Sequence, residues 1–417
     1  MGQIIFNSEL EQFIFTIETT QTKHDFETVL QLTPFFIAYP ELSFGFIPYF
    51  AASTIASLDL IRKYRVPTDY YESNIVNEEK MKDIRTKIKI FDTRYSASLR
   101  MLMNVDYIQN EIFKKMNKLY CFVNQKPHPN LGIFTDDQGR IIGNTHYAYY
   151  VMFDSKVLKK SQDDIRKIYS ETPGQFSFRI NRRDALNTGQ DIGKIVGSIL
   201  VSLIDLKLAA SPEVENYRPN VYYSDVNTNH RALFTHNISA DKSIFLFILH
   251  ILTSINFVLY VANTCEKNDT GWWLKTNYMA YHYCISRLRD LEKTNLKSGI
   301  ASGDLSDLLK ELALKNENLL CPDFRNCIMH ASFSNDGILL INERYLNPET
   351  PLFGLVETYF NGASYLDVKN EIIKRLIRIS TILSNWLDLN LSVKLMEDQN
   401  KRKWTSYEEL RSKLMKS

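Results

Sequence analysis

SIFLFILHILTSINFVLYVA, residues 243–262, is the stretch whose reading decides the fold. It carries no charge and is long enough to cross a bilayer. It is equally what the central helix of a bundle looks like when every side of that helix is covered. His250, Thr253, Ser254 and Asn256 lie in its middle, no Lys/Arg cluster flanks it, and no second such stretch follows. These features favour the covered helix over a span. The expectation is a mainly α protein with no membrane partner, built around this helix as a C-terminal antiparallel bundle.

Working outward, three further segments step in threes and fours. Residues 273–292 are aromatic-rich and end in RLRDLEK; residues 302–316 put Leu305, Leu308, Leu309 and Leu312 on one face; residues 365–387 align Val368, Ile372, Leu376, Ile379 and Leu383. Ser239 is a candidate N-cap for the apolar helix. Upstream, residues 81–119 read as one long helix through Ile84, Ile88, Leu99, Leu102, Val105 and Ile108, with Asn77 as its cap. After Pro129, TDDQGRIIGNTHYAYYVMF (135–153) reads as a turn at Asp137-Gln138-Gly139 followed by an extended run, a small β element. Residues 190–210 return to helical spacing, and 211–229 form an irregular connection rich in Pro, Asn and Tyr.

The chain of 417 residues exceeds what one core usually serves. The expected division is 1–235, a largely helical recognition or regulatory region; 236–395, the bundle; and 396–417, a basic tail. An apolar fraction of 44% with 24 Phe and 23 Tyr describes a well-packed globular protein, and only 15 Gly and 12 Pro favour long helices. A net charge of +2 excludes a global basic field, so any nucleic-acid contact is local. Cys121, Cys265, Cys284, Cys321 and Cys327 are an odd set without CxxC spacing, which disfavours a disulfide framework and a zinc site. A cytoplasmic location fits, since MGQIIFNSELEQF has neither the basic nor the apolar region of a signal peptide.

Chemistry concentrates in CPDFRNCIMHASFSNDG, residues 321–337. Pro322 suits a first helical position, Asp323 complements the helix dipole, and Gly337 marks the far end. Phe324, Ile328 and Ala331 form the expected buried face, Asn326 and His330 are i and i+4 neighbours on another, and Arg325 lies at its edge. A guanidinium, a carboxamide and an imidazole near a helix start make an anion site. Such a set can cleave RNA by attack of the ribose 2′-hydroxyl on its own phosphate, with no metal or cofactor. His330 moves the proton, Arg325 stabilises charge on phosphorus, and Asn326 orients one or the other.

RNCIMH, residues 325–330, resembles the motif of the HEPN superfamily (higher eukaryotes and prokaryotes nucleotide-binding): Arg, four to six residues, then His, often with a polar residue after the Arg. The resemblance spans roughly residues 236–395. It implies a helical bundle that homodimerises so that two motifs line one cleft, and catalytic roles for Arg325, Asn326 and His330. It also implies metal-independent ribonuclease activity of the kind found in toxin–antitoxin, antiphage and RNA-targeting CRISPR systems. The implied partners are RNA, tRNA included, a second copy of the chain, and a regulatory protein or antitoxin. Non-catalytic members of the superfamily make the alternative a helical RNA- or nucleotide-binding assembly protein.

Two other Arg-to-His spacings occur. Arg140 to His146 (RIIGNTH) lies in the stretch read as extended, and Arg231 to His236 (RALFTH) lacks the polar neighbour. Lys401, Arg402, Lys403 and Trp404 in the tail offer charge and a stacking ring to RNA, as a docked terminal helix also would. FRINRRD (178–184) reads as a solvated basic loop. Gly271-Trp272-Trp273 reads as a core anchor at a helix start, and His282, between Tyr281 and Tyr283, as a packed polar residue. No phosphate loop, HExxH or GxSxG is present.

Overall fold

In the computed structural model the apolar stretch is an interior helix. The structure describes residues 6–38, 42, 44–64, 84–85, 87–88, 95–112, 130–152, 155–171, 220–228, 242–266, 269–298, 303–314 and 318–395. Their elements are α1 (Glu9–Ala38), α2 (Ile47–Lys63), α3 (Tyr95–Tyr107), β1 (Leu131–Thr135), β2 (Ile141–Asn144), α4 (Thr145–Met152), α5 (Ser155–Leu158) and α6 (Gln162–Glu171). They continue with β3 (Tyr222–Val226), α7 (Lys242–Phe257), α8 (Trp272–Ser298), α9 (Gly303–Leu314) and α10 (Pro322–His330). A hairpin of β4 (Ser334–Asn335) and β5 (Ile338–Leu339) precedes α11 (Leu355–Tyr359), α12 (Tyr365–Leu387) and β6 (Lys394–Leu395). The protein is mainly α with a small β element, as its composition implies.

α7 runs on through a π turn, Val258–Ala262, and a 3-10 turn, Asn263–Cys265. The helix is long and apolar enough to cross a membrane, and its most apolar window is 94% buried inside the protein. Its polar residues show why an interior suits it. Thr253 Oγ1 accepts from Asn144 Nδ2 (2.7 Å), Ser380 donates to Asn256 Oδ1 (2.5 Å), and Ser254 donates to the carbonyl of His250 (2.9 Å). Each such bond offsets the 1–3 kcal/mol or so that an unpaired buried group costs. α12 covers one side, burying Val368, Ile372, Leu376, Ile379 and Leu383. Each contributes roughly 1.5–3 kcal/mol by leaving water. Ser364 caps it, accepting from the Asp367 N–H.

On its other side α7 meets an antiparallel sheet of order β2-β1-β3-β6, in which β1 pairs with β2 across the Asp136–Gly139 turn. Two expectations are corrected here. Residues 145–152 are helical, not extended, because Asn144 caps α4: its Oδ1 accepts the Tyr147 N–H at 2.7 Å. Residues 222–226, expected as irregular chain, are β3, recruited by full register with β1 from Leu131↔Val226 to Thr135↔Tyr222. Within 81–119 residues 84, 85 and 87 are helical, as is α3 with its π extension Ile108–Ile112, and Ile84, Leu102, Val105 and Ile108 are buried. Asn77, Ser239, residues 178–184, 190–210 and 231–236 lie outside the described residues, as does the boundary expected near 235. Elements on both sides of that point share one core, with Phe46 of the α1–α2 segment edge-on to Phe257 at 4.8 Å and β6 paired to β3.

α1 was not anticipated by its pattern. Its inner face mixes Ile14, Ile17, Phe26 and Val29 with buried Glu18, Gln21, Thr22, Asp25 and Thr28. Glu18, Gln21, Asp25 and Thr28 tie α1 to other parts of the chain, while Thr22 bonds back to the Glu18 carbonyl. Asp25 pairs with Lys275 of α8 at 2.7 Å, and Gln21 Nε2 donates to the Thr270 carbonyl at 3.0 Å.

Candidate functional site

α10 begins where the sequence places it. Pro322 occupies the first turn, and the N-cap is Cys321, whose sulfur accepts from the Phe324 N–H at 3.5 Å. Phe324, Ile328 and Ala331 are buried, as expected, with Cys327 added to that face. Phe324 packs edge-on against Tyr278 of α8 (4.8 Å) and Phe360 (4.9 Å). The far end needs correction. The helix stops at His330, where Ala331 takes the left-handed conformation at φ 43°. Gly337 instead belongs with Asp336 to the β4–β5 turn, both at positive φ, as a two-residue hairpin loop requires.

The exposed side of α10 carries the predicted residues. Asn326 and His330 are exposed and Arg325 is half-buried. Arg325 Nη1 donates to Asn326 Oδ1 at 3.4 Å. His330 lies five positions after Arg325, which turns them about 140° apart on an α-helix. They therefore meet different neighbours: His330 faces α2, and Arg325 lies on the side of α8.

His330 Nδ1 sits 3.2 Å from Asp59 Oδ2 of α2. The imidazole remains 55% exposed and Asp59 33% exposed, and Arg85 Nη2 stands 4.0 Å from the same carboxylate. A carboxylate on Nδ1 selects the tautomer that leaves Nε2 free to exchange a proton with a bound molecule. Asp59 had no sequence signal, since it lies 271 residues from its partner. α2 is held against α10 by a buried hub. Glu18 of α1 accepts from Lys63 Nζ (2.8 and 2.9 Å), the Tyr64 hydroxyl (2.9 Å) and the Phe333 N–H (2.7 Å). Burial, followed by the Glu18 charge, pushes the Tyr64 phenol well above the ordinary range.

His282, read from sequence as packed and polar, is half-buried on α8. Burial, reinforced by the charges of Arg325 and Arg289, lowers its pKa to about 4. Its imidazole therefore senses the charge of Arg325 on α10, a relation that its sequence neighbours Tyr281 and Tyr283 do not disclose.

No protein-family model matches the chain, and neither curated proteins nor solved structures give a match.

The remaining candidates fall away from α10. Arg140 pairs with Asp136 at 2.6 Å and lies over the Tyr260 ring at 3.7 Å, while His146 is buried 3.3 Å from Asp106, so RIIGNTH brings no such pair together. Trp272 and Trp273 are buried edge-to-face at 4.9 Å, an anchor for the start of α8. Lys401, Arg402, Lys403 and Trp404 lie outside the described residues. A groove of about 390 Å³ between α8, α9 and α12 is lined by Arg375, Arg378 and Lys374. Glu371 and Glu311 answer its two arginines at 2.8 and 2.5 Å, leaving it little net charge. Among the described residues no group of three or more His, Cys, Asp or Glu is arranged to hold a metal ion.

Proposed function

We propose that the chain is an endoribonuclease of the HEPN type that cleaves RNA by metal-independent transesterification. The observation that carries this reading is the His330–Asp59 pair: an imidazole oriented by a carboxylate through one nitrogen, with the ring left open to solvent. Arg325 and Asn326 on the same nine-residue helix supply a cation and an amide for the phosphate. In the reaction the ribose 2′-oxygen loses its proton and bonds to phosphorus, the P–O5′ bond breaks, and O5′ takes a proton. The products are a 2′,3′-cyclic phosphate and a 5′-hydroxyl.

One His330 per chain supplies one of the two proton transfers from this helix. A second copy bringing its own Arg325 and His330 to a shared cleft completes the set, which makes a homodimer part of the proposal. The resemblance of RNCIMH to the superfamily motif is the basis for the proposed setting, a cytoplasmic defence or toxin effector held by a regulatory protein or antitoxin and acting on RNA such as tRNA.

Incubation of the wild-type chain, Arg325→Ala and His330→Ala with total RNA and with tRNA in EDTA tests this. Wild type alone should cleave, leaving cyclic-phosphate and 5′-hydroxyl ends, with dimers on sizing. The Arg85–Asp59 approach at 4.0 Å favours a second reading, in which Asp59, Arg85 and His330 form a surface charge network on a non-catalytic binding or assembly protein. Absence of cleavage by folded, dimeric wild type is the result that selects it.

A further inference from the structure

Among the described residues Arg325 has no carboxylate partner, unlike Arg375 and Arg378 of the bundle. Arg375 has Glu371 and Arg378 has Glu311, whereas the hydrogen bond made by Arg325 among the described residues goes to its neighbour Asn326, at a marginal 3.4 Å. A half-buried guanidinium has lost part of its hydration, and without an acid to replace it the site favours an anion.

The wall beside it is α8, and the docking there is specific. The Tyr278 hydroxyl accepts from the Cys321 N–H at 2.9 Å and donates to the Cys321 carbonyl at 3.1 Å, gripping the residue that caps α10. One turn along the same face of α8, the His282 ring stands 6.2 Å from that of Tyr278. Neither ring nitrogen of His282 has a hydrogen-bond partner among the described residues. Nearly two turns further Arg289 donates to the Leu312 carbonyl at 2.9 Å, so a second guanidinium is fixed on this side. The charged groups acting on His282 are thus Arg325 from α10 and Arg289 from α8, both cations.

The geometry points to a phosphodiester-binding cleft between α10 and α8, in which Arg325 and His282 hold one phosphate of an RNA backbone and Arg289 adds positive field. The ligand class rests on the ribonuclease reading; the anion site itself does not. His282, its pKa lowered to about 4 by burial first and then by the two arginines, is neutral at pH 7. A neutral imidazole can donate one N–H to a phosphate oxygen and keep its other nitrogen as an acceptor. A bound phosphate sets a negative charge against the two arginines, so it raises the proton affinity of His282.

The test is NMR of the full chain labelled with ¹³C at histidine, with the His282 resonance assigned by its loss in His282→Gln and independently in His282→Asn. Inorganic phosphate and a short single-stranded RNA with 2′-O-methyl riboses, which cannot be cleaved, are the two probes. Both should move the His282 resonance and raise its titration midpoint by about one pH unit or more. Arg325→Ala should weaken both responses roughly tenfold or more. The resonance of buried His250 checks that the variants remain folded. An unmoved His282 resonance with both probes overturns the cleft. A response to phosphate but not to RNA overturns the polynucleotide ligand.

The readout needs no turnover, so the two proposals fail separately. RNA-dependent movement of His282 in a chain that cleaves nothing upholds the cleft and removes the nuclease. Cleavage that persists in His282→Gln, with the wild-type resonance unmoved, removes the cleft and leaves the nuclease.

Discussion

Replacing Glu18 by Ala should uncouple α2 from α10 at a cost that can be worked from its bonds. The carboxylate is fully buried and joins three elements: Lys63 and Tyr64 at the end of α2, Phe333 in the segment leaving α10, and α1 itself. Lys63 is about one third exposed, so on losing its partner it rehydrates and contributes little. The Phe333 N–H and the Tyr64 hydroxyl are different, because both residues are buried. Each is left without an acceptor, at about 1–3 kcal/mol apiece. The removed side chain also leaves a void, bringing the total to about 3–5 kcal/mol, the range found when one member of a buried ion pair is deleted. Glu18→Gln keeps one acceptor oxygen and should cost about half as much. Urea unfolding followed by circular dichroism measures both. The hub also sets where Asp59 meets His330, and a misplacement of about 1 Å can cost on the order of a hundredfold in rate. On the ribonuclease proposal, cleavage by Glu18→Ala should therefore fall further than in Leu383→Ala, a core deletion in α12 with a similar expected cost of about 2–5 kcal/mol. A loss of under about 1 kcal/mol for Glu18→Ala, at unchanged denaturant slope, would refute the account of the hub.

The other predictions concern separate parts of the molecule. If the chain is the proposed ribonuclease, Asp59→Asn should leave RNA affinity near wild type and lower the single-turnover cleavage rate roughly tenfold to a hundredfold, because it disturbs the orientation of His330 without touching Arg325. Asp25→Asn should destabilise the protein by about 3–5 kcal/mol, since it strands buried Lys275, and Asp25→Leu with Lys275→Met should recover most of that in the same urea assay. Burial, then the charges of Arg287 and His146, lowers the pKa of His250 to about 3 from an ordinary 6.5. The unfolded chain thus binds a proton there that the folded chain refuses. Stability should be full above pH 6.5 and fall toward pH 3 by about 1.4 kcal/mol per unit for this one group. His250→Leu should reduce the slope of stability against pH over that window, and an unchanged slope would show that the folded state accepts the proton.

Local information sufficed for the C-terminal helices because each satisfies one rule along its own length. In α12, Ser364 caps the start and Val368 to Leu383 repeat at the helical period, so pattern and burial coincide. In α10, Pro322 and the Phe324–Ile328 spacing did the same for the start and the buried face. α1 hid because its inner face is partly polar: Glu18, Gln21 and Asp25 are buried only by virtue of partners elsewhere in the chain. α4 hid behind aromatic, β-branched residues whose preference for strand was overruled by the Asn144 cap. β3 needed β1, many residues upstream, before its alternation meant anything.

The same division runs through the candidate site. By itself the sequence determined that Arg325, Asn326 and His330 share one short helix whose other face is buried, since spacing of three, four and five residues converts directly into angle. Only the tertiary structure decided what surrounds them: Asp59 against His330, and for Arg325 the side of α8, whose Tyr278 grips the Cys321 cap and whose His282 senses the guanidinium charge. The periodicity of a helix fixes which way its side chains point. What stands opposite depends on packing between segments distant in the chain, 315 residues apart at the Glu18 tie and 43 at the Tyr278 tie, and neither leaves a mark in any local pattern.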